Sequence, residues 1–443
     1  MEGEPAGRSY GVAVDMDQRR RPRRRSKSAR GNSHRTIDVT MTISTSTARP
    51  VAQRAAGFAL FEYGFRPFFL LVGLHGAVAV AVWVVVVLGW LTLPVEMEVF
   101  WHAHQMVYGF AAAGLAGFML TAVPSWTGAP ARRGAPLIAL AALWLAGRIA
   151  TTLPSLFSPS LAALLDLAFI PAVALAVVGP LLASGKARNL MLLIPLTLFW
   201  IGDVLMQAEF VGLTSDTAAT GARLGIDVML LMITVIGGRI VPTFTTNALR
   251  AAGHTVEARH SALVDRGSIA SMVLFLVSEA ATGMSLVAGV VALAAAILNG
   301  ARLAGWRGEW TLNSPILWVL HLGYAWLVFG LALKAIAALT DVLPETAALH
   351  ALTAGAMGTM LLAVMSRAGL GHTGRALKVH PATVGCYVLI SLAALLRIAA
   401  TLAPPLHSQL LIGSAVAWTA GFVLFLTIYA PILTTARPDG RSG

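Results

Sequence analysis

From Pro67 onward the chain alternates between apolar stretches of helical length and short polar or glycine-rich interruptions. About 20 residues, rising about 1.5 Å each, cross the hydrocarbon core of a bilayer. The pattern therefore predicts about twelve transmembrane helices. Segments 67–92, 98–123, 135–154, 160–183, 188–213 and 221–246 make the first half. Segments 264–284, 286–305, 313–338, 345–369, 380–403 and 408–434 make the second. Between the seventh and eighth, Gly283 and Gly289 barely interrupt the apolar character. No internal repeat is visible. The expected fold is all-α: one polytopic domain over residues 61–436, followed by a short C-terminus, 437–443.

Composition agrees with this reading. The 443 residues are 57% hydrophobic and only 12% charged, with a mean hydropathy of +0.75. A soluble domain carries about twice that charged fraction. Continuous apolar runs also exclude the weakly alternating strands of an outer-membrane barrel. The net charge of +12 is concentrated at one end, with 13 of the 32 Lys and Arg before Pro67. The run from Arg19 to Arg30 predicts a disordered, self-repelling basic tail over residues 1–60 that stays in the cytoplasm near anionic lipid. A nucleic-acid partner is not expected. The twin arginines do not make a cleavable signal, because the first apolar run is distant and long enough to span; Met41 is an alternative start.

Loop charges give an orientation. Arg132 and Arg133, Lys186 and Arg188, Arg250 and Arg259, Arg302 and Arg307, Arg375 and Lys378, and Arg437 and Arg441 fall on one side. Loops 94–98, 214–217 and 340–345 on the other side have no Lys or Arg. The positive-inside rule places both termini in the cytoplasm, and an even number of spans requires the same.

The stretch from His350 to Arg375 stands out for chemistry. Helical steps from His350 reach Ala354, Met357, Leu361 and Val364, and small residues at Ala354 and Gly358 leave room for something flat. The stretch ends in a glycine-rich, basic exit containing His372. An ionisable ring inside a span is a functional candidate; the bland alternative is a histidine that bonds a neighbouring helix.

This stretch resembles the signature of the NnrS family of bacterial membrane proteins. FRPFFLL (Phe65–Leu71), FWHAHQMVYGFAAAGLAGFMLTAVPSWTG (Phe100–Gly128), GGRIVPTFTTN (Gly237–Asn247) and LWVLHLGYAW (Leu317–Trp326) carry the same resemblance. The chain departs from the pattern at Gln105, where glutamate is common, and at Ser125, where asparagine is common. The resemblance implies a bacterial inner-membrane protein that contains haem and copper and is linked to tolerance of nitric oxide. With Cys386 the only cysteine, a CxxCH attachment and thiolate-rich sites are excluded. Any haem is then non-covalent, of b-type, and any copper relies on His, Met or oxygen ligands.

Depth along the helices sharpens the candidates. His102 and His104 enter the second span, and His350 the tenth, near the same outer face. One ring from each helix at that level suits the two faces of an iron porphyrin. His102 and His104 point about 200° apart, so only one can serve. The stripe below His102 (Met106, Gly109, Ala113) is smaller than that below His104 (Tyr108, Ala111, Leu115), which favours His102 and leaves His104 as the alternative. The layout is similar to that of haem–copper oxidases, although their run of adjacent copper histidines is absent. His75 and His321 lie about 12 Å deep from the cytoplasmic face and are candidate metal ligands, as is His372 at its helix exit. The charges Arg148, Asp166, Asp203, Asp227, Glu279, Lys334 and Arg397 also lie in spans. Arg148 and Arg397 have the depth to meet haem propionates, or else to pair with Asp166 or Asp203. Arg239, between two glycines and Pro242, marks a helix irregularity.

Two functions follow as expectations. The first is a haem- and copper-binding protein that lessens nitric oxide toxicity. The second is a twelve-span secondary transporter with an intramembrane His/Asp/Arg proton path.

Overall fold

The computed structural model describes residues 57–441, apart from 94–97 and 186. Nearly all of the expected basic tail, 1–60, lies outside the described residues. Those residues contain no strand, only an isolated bridge between Phe58 and Thr435. Twelve long helices follow in order: α1 (Phe65–Val87), α2 (Glu98–Thr127), α3 (Ala135–Thr152), α4 (Pro159–Ala183), α5 (Leu193–Phe210), α6 (Ala218–Ala251), α7 (Ala262–Thr282), α8 (Leu286–Gly305), α9 (Pro315–Leu339), α10 (Glu345–His372), α11 (Pro381–Leu402) and α12 (Pro404–Thr434). Eleven are long and apolar enough to cross a membrane. The other, α7, has the length but carries Asp265, Arg266 and Glu279. The protein is an all-α polytopic membrane protein.

The faint boundary between α7 and α8 is made by backbone chemistry. Gly283 adopts φ +61° and ψ −151°, a conformation open to glycine, and Ser285 then accepts a hydrogen bond from the Ala288 amide to cap α8.

Burial ranks the helices. Within its apolar window α2 is 89% buried, α6 and α10 67%, whereas α1, α3, α4 and α5 reach only 33–39%. The bundle is therefore arranged around α2, α6 and α10, with α9 next to them. These same three helices each contain a π-helical turn: Gln105–Ala111 in α2, Ile233–Gly237 in α6 and Ala351–Gly358 in α10. The irregularity expected beside Arg239 is the second of them. A π turn carries more residues than an α turn, so it rotates everything beyond it relative to an α-helical count. Such turns are concentrated at functional sites. Close packing accompanies the one in α10: a Cβ on Gly355 would come within 2.5 Å of the Trp326 ring, and one on Gly358 within 2.8 Å of Trp418.

The opposite end of the bundle is tied by Arg66, from the FRPFFLL block. It is fully buried, and its guanidinium donates to the carbonyls of Leu433 and Thr435, each at 2.8 Å, where α12 ends. These are helix-terminal carbonyls with no intrahelical donor, so a buried cation there satisfies both hydrogen bonding and the helix dipole. Backbone bonds from Ala59 to Thr434 and from Ala436 to Gly57 extend the tie. Arg66→Gln should lower the thermal midpoint of the purified protein, since charge-assisted hydrogen bonds contribute about 1.5–3 kcal/mol each. An unchanged midpoint would show that the carbonyls are satisfied without the guanidinium.

Candidate functional site

Helix α2 presents two different sites on two faces, both in its first turns. On one face, His104 is buried among charges. Its Nε2 lies 2.8 Å from Asp166 Oδ2 on α4 and 3.0 Å from Asp203 Oδ1 on α5. Gln207, one turn after Asp203, lies 3.0 Å from the same nitrogen and 2.6 Å from Asp166 Oδ2. Arg148 of α3 pairs with Asp166 Oδ1 and donates to Gln105 Oε1 at 3.2 Å. Gln105 in turn donates to Thr151 and Thr152 at 3.0 and 3.2 Å. His75 of α1 donates from Nε2 to the Gln105 carbonyl at 2.9 Å, and Trp144 caps the Gly109 carbonyl at 3.1 Å.

The charge balance of this cluster is informative. Asp166 and Asp203 supply two negative charges and Arg148 one positive, so with a neutral His104 the net charge is −1. In a low-dielectric interior that imbalance is costly. A proton on His104 cancels it, and so would a bound cation. His104, Asp166 and Asp203 can each offer a ligand atom within 4.8 Å of the others, a geometry compatible with a metal ion.

The other face of α2 lines a cavity of about 250 Å³ between α1, α2, α10, α11 and α12. Its walls are chiefly apolar, including Val84, Phe110, Met357 and Trp418, and its nitrogen-bearing side chains are Trp83, His102, His350, Arg397 and Trp418. His350 Nδ1 lies 2.7 Å from the Thr346 carbonyl. A carbonyl only accepts, so Nδ1 carries the proton and Nε2 of the neutral ring keeps its lone pair. His102 is stacked on Trp83, with ring centres 4.6 Å apart and planes 9° apart. Its Nδ1 has no hydrogen-bond partner, and neither has Arg397 Nη1. Unpaired buried donors and acceptors are rare and call for an explanation.

The expected pairing of one ring on α2 with His350 thus has a shared cavity, and the ring that shares it is His102. His104 faces away from it. The expected stripe below His102 needs correction. Met106 lines the cavity, but Val107 and Phe110 follow it, while Gly109 faces His75 and Arg148; a Cβ there would come 2.6 Å from His75 Nε2. The π turn beginning at Gln105 explains the slip, because the α-helical count was carried through a wider turn.

The two arginines separate. Arg397 lines the cavity, whereas Arg148 is held by Asp166, one of the pairings open to it from sequence. His75, His321 and His372 are not brought together. His75 bonds Gln105. His321 lies 2.9 Å from Thr245 Oγ1 and edge-on to Trp306. His372 stacks near Tyr63 and Phe65. Of the remaining intramembrane charges, Lys334 bonds Glu279 and, at 2.7 Å, Glu345. Asp227 is buried within electrostatic reach of Glu279 and Lys334. The convergence of Asp166, Asp203 and Gln207 on His104 was missed from sequence. Its signal was the presence of two carboxylates in spans, which must find partners.

Fold and site define a class: a polytopic helical membrane protein whose most buried helix separates an apolar histidine-lined cavity from an ionic cluster. The chain belongs to the NnrS protein family, whose model matches residues 59–437 and so nearly the whole chain. Membership supports a function related to nitric oxide. A comparison with curated proteins gave no match.

Asp166→Asn should destabilise the fold by about 3–5 kcal/mol, the usual result of removing one partner of a buried ion pair, here the carboxylate paired with Arg148. Adding Arg148→Met should recover much of that loss in thermal unfolding of the purified protein. A double variant no more stable than the single one would identify His104, rather than Arg148, as the partner that Asp166 mainly serves.

Proposed function

We propose that the protein binds haem b non-covalently in the cavity shared by His102 and His350. In this reading it relieves nitric oxide stress at a bacterial inner membrane, with both termini in the cytoplasm, by binding nitric oxide or turning it over. The observation that carries the proposal is the meeting of two histidines and an arginine with an unpartnered nitrogen in one apolar cavity. The residues fit the group. His350 keeps Nε2 available because Thr346 holds the other ring proton, the arrangement typical of metal-ligating histidines. His102 has its ring plane fixed by Trp83, and its unpartnered Nδ1 marks a nitrogen that nothing in the protein satisfies. Arg397 offers a cation to a propionate. The apolar walls exclude water. Haem iron held by both histidines would supply a centre that changes oxidation state, and nitric oxide would reach it only by taking the place of one ring.

For the copper that the resemblance implies, we assign His104, Asp166 and Asp203. Imidazole and carboxylate suit the oxidised ion better than the reduced one. Binding would displace the proton that His104 Nε2 now directs to the carboxylates. His75, His321 and His372 each have separate surroundings and make a poorer ligand set.

The buried ion cluster also favours the second reading, a proton-coupled transporter, because intramembrane His and Asp groups serve as proton relays. One measurement separates the two. Purified protein with a Soret band supports haem binding, while a colourless protein that supports proton-coupled uptake supports transport.

His102→Ala and His350→Ala should each abolish the low-spin haem spectrum while leaving membrane levels and thermal stability near those of the parent. A well-inserted His350→Ala protein with an unchanged spectrum removes α10 from the site. His104→Ala should lower copper content by metal analysis and retain the haem spectrum. Loss of haem with copper retained would exchange the two assignments.

A further inference from the structure

A second, polar cavity of about 470 Å³ shares no lining residue with the one that holds His102 and His350. It lies where α7 begins and α8 ends, and its lining includes Arg259, His260, Ser261, Asp265, Arg302 and Arg307. Three arginines against one aspartate give the lining a net charge of +2 with His260 neutral. The cations are not equivalent. Arg302 is buried and structural: it donates to Asp265 at 2.6 Å and to the Thr234 carbonyl of the α6 π turn at 2.8 Å. Arg259 and Arg307 are the ones with capacity to spare. Arg259 is exposed and has only its backbone committed, to the Gly305 carbonyl at 2.8 Å. Arg307 sits at φ +61°, an uncommon backbone state for a residue with a side chain, and its Nε is buried without a hydrogen-bond partner. Among the described residues, Glu309, 3.6 Å from Arg307, is its only carboxylate neighbour within ion-pair distance. The first turn of α7, a helix of 21 residues whose Val264 and Asp265 amides are taken by Ser261, adds the positive end of a helix dipole.

The surroundings say where such an anion would come from. Leu263, next in the chain to the lining residue Val264, is 83% exposed, and Trp310 and Leu312, a few residues beyond the lining residue Arg307, are exposed as well. Exposed leucine and tryptophan next to arginines, at the end of membrane-spanning helices, make an interfacial belt with acyl chains on one side and headgroups on the other. A freely soluble anion would gain nothing from that rim.

We propose that this cavity is a binding site for the phosphate headgroup of an anionic phospholipid, with Arg259 and Arg307 as the principal contacts, the dipole of α7 in support, and Leu263, Leu312 and Trp310 against the acyl chains. Arginine suits this role because its planar fork meets two phosphate oxygens at once. Juxtamembrane arginines are a common means of holding anionic lipid. The test uses full-length protein reconstituted in nanodiscs of phosphatidylcholine with a small fraction of phosphatidylglycerol, then analysed for retained lipid by native mass spectrometry. The parent protein should retain phosphatidylglycerol selectively, and R259Q/R307Q should bind it roughly 30-fold more weakly, as two lost arginine contacts imply. R307K, which keeps the charge and loses the fork, should fall between them. Equal retention by parent and double variant overturns the proposal. So does inorganic phosphate, at low millimolar concentration, displacing the lipid completely, since that would identify a site for a free anion. Thermal unfolding in pure phosphatidylcholine controls for folding, and there the double variant should match the parent because Arg302 is untouched.

Discussion

A bilayer offers no water to a buried polar group, and that constraint organises this protein. An intramembrane charge needs a partner inside the bundle, and Arg148, Asp166 and Asp203 find theirs around the start of α2. Arg148, Asp166, Asp203, Gln207 and His104 come from four helices, and no pair satisfies all of their hydrogen-bonding capacity alone. The cluster therefore fixes how α3, α4 and α5 sit against α2, which apolar packing leaves loosely specified. It also explains why α2 can be the most buried helix while carrying two histidines and a glutamine.

Much of the architecture was legible because its causes are local. Apolar length fixed the helices to within a few residues, and the charges Asp265, Arg266 and Glu279 explain why α7 is the least apolar of them. The opposed directions of His102 and His104 follow from helical geometry alone, and the structure keeps them on different faces. What periodicity could not supply was which helices touch. Asp166, Asp203 and Arg148 were each visible as charges needing partners, but their meeting at His104 depends on the packing of α3, α4 and α5. The separation of Arg397 from Arg148 has the same origin.

The π turns are the other feature that sequence alone did not reveal. Composition gives little warning, since AGAMG and YGFAA are compatible with ordinary helix in a membrane. In α10 the wider turn is closely packed through small residues: a Cβ on Gly355 would meet Trp326, and one on Gly358 would meet Trp418. One consequence is that side chains beyond the turn rotate. Gly109 leaves the His102 face and makes room for His75 and Arg148, while Phe110 takes its place in the cavity wall. The histidines sit at the edges of these turns, His104 immediately before Gln105 and His350 immediately before Ala351. Their orientation is thus set at the point where the helix changes register.

The cavity and the ionic cluster lie on two faces of one helix, about 10 Å in diameter. At an effective dielectric constant near 20, a unit charge on one side is felt on the other by about 1.5–2 kcal/mol. Adding a proton or a metal ion at His104 would therefore disfavour a positive charge in the cavity about tenfold or more, without any movement of the backbone. Arg148 moderates this coupling, because it already neutralises Asp166 and fixes the cluster at one negative charge rather than two. In the proposed function, that makes the ionic cluster a means of tuning an iron centre on the other face. Gln105 links the two faces most directly: its side chain holds Arg148 and its carbonyl holds His75, while its backbone begins the π turn that carries Met106, Val107 and Phe110 of the cavity wall.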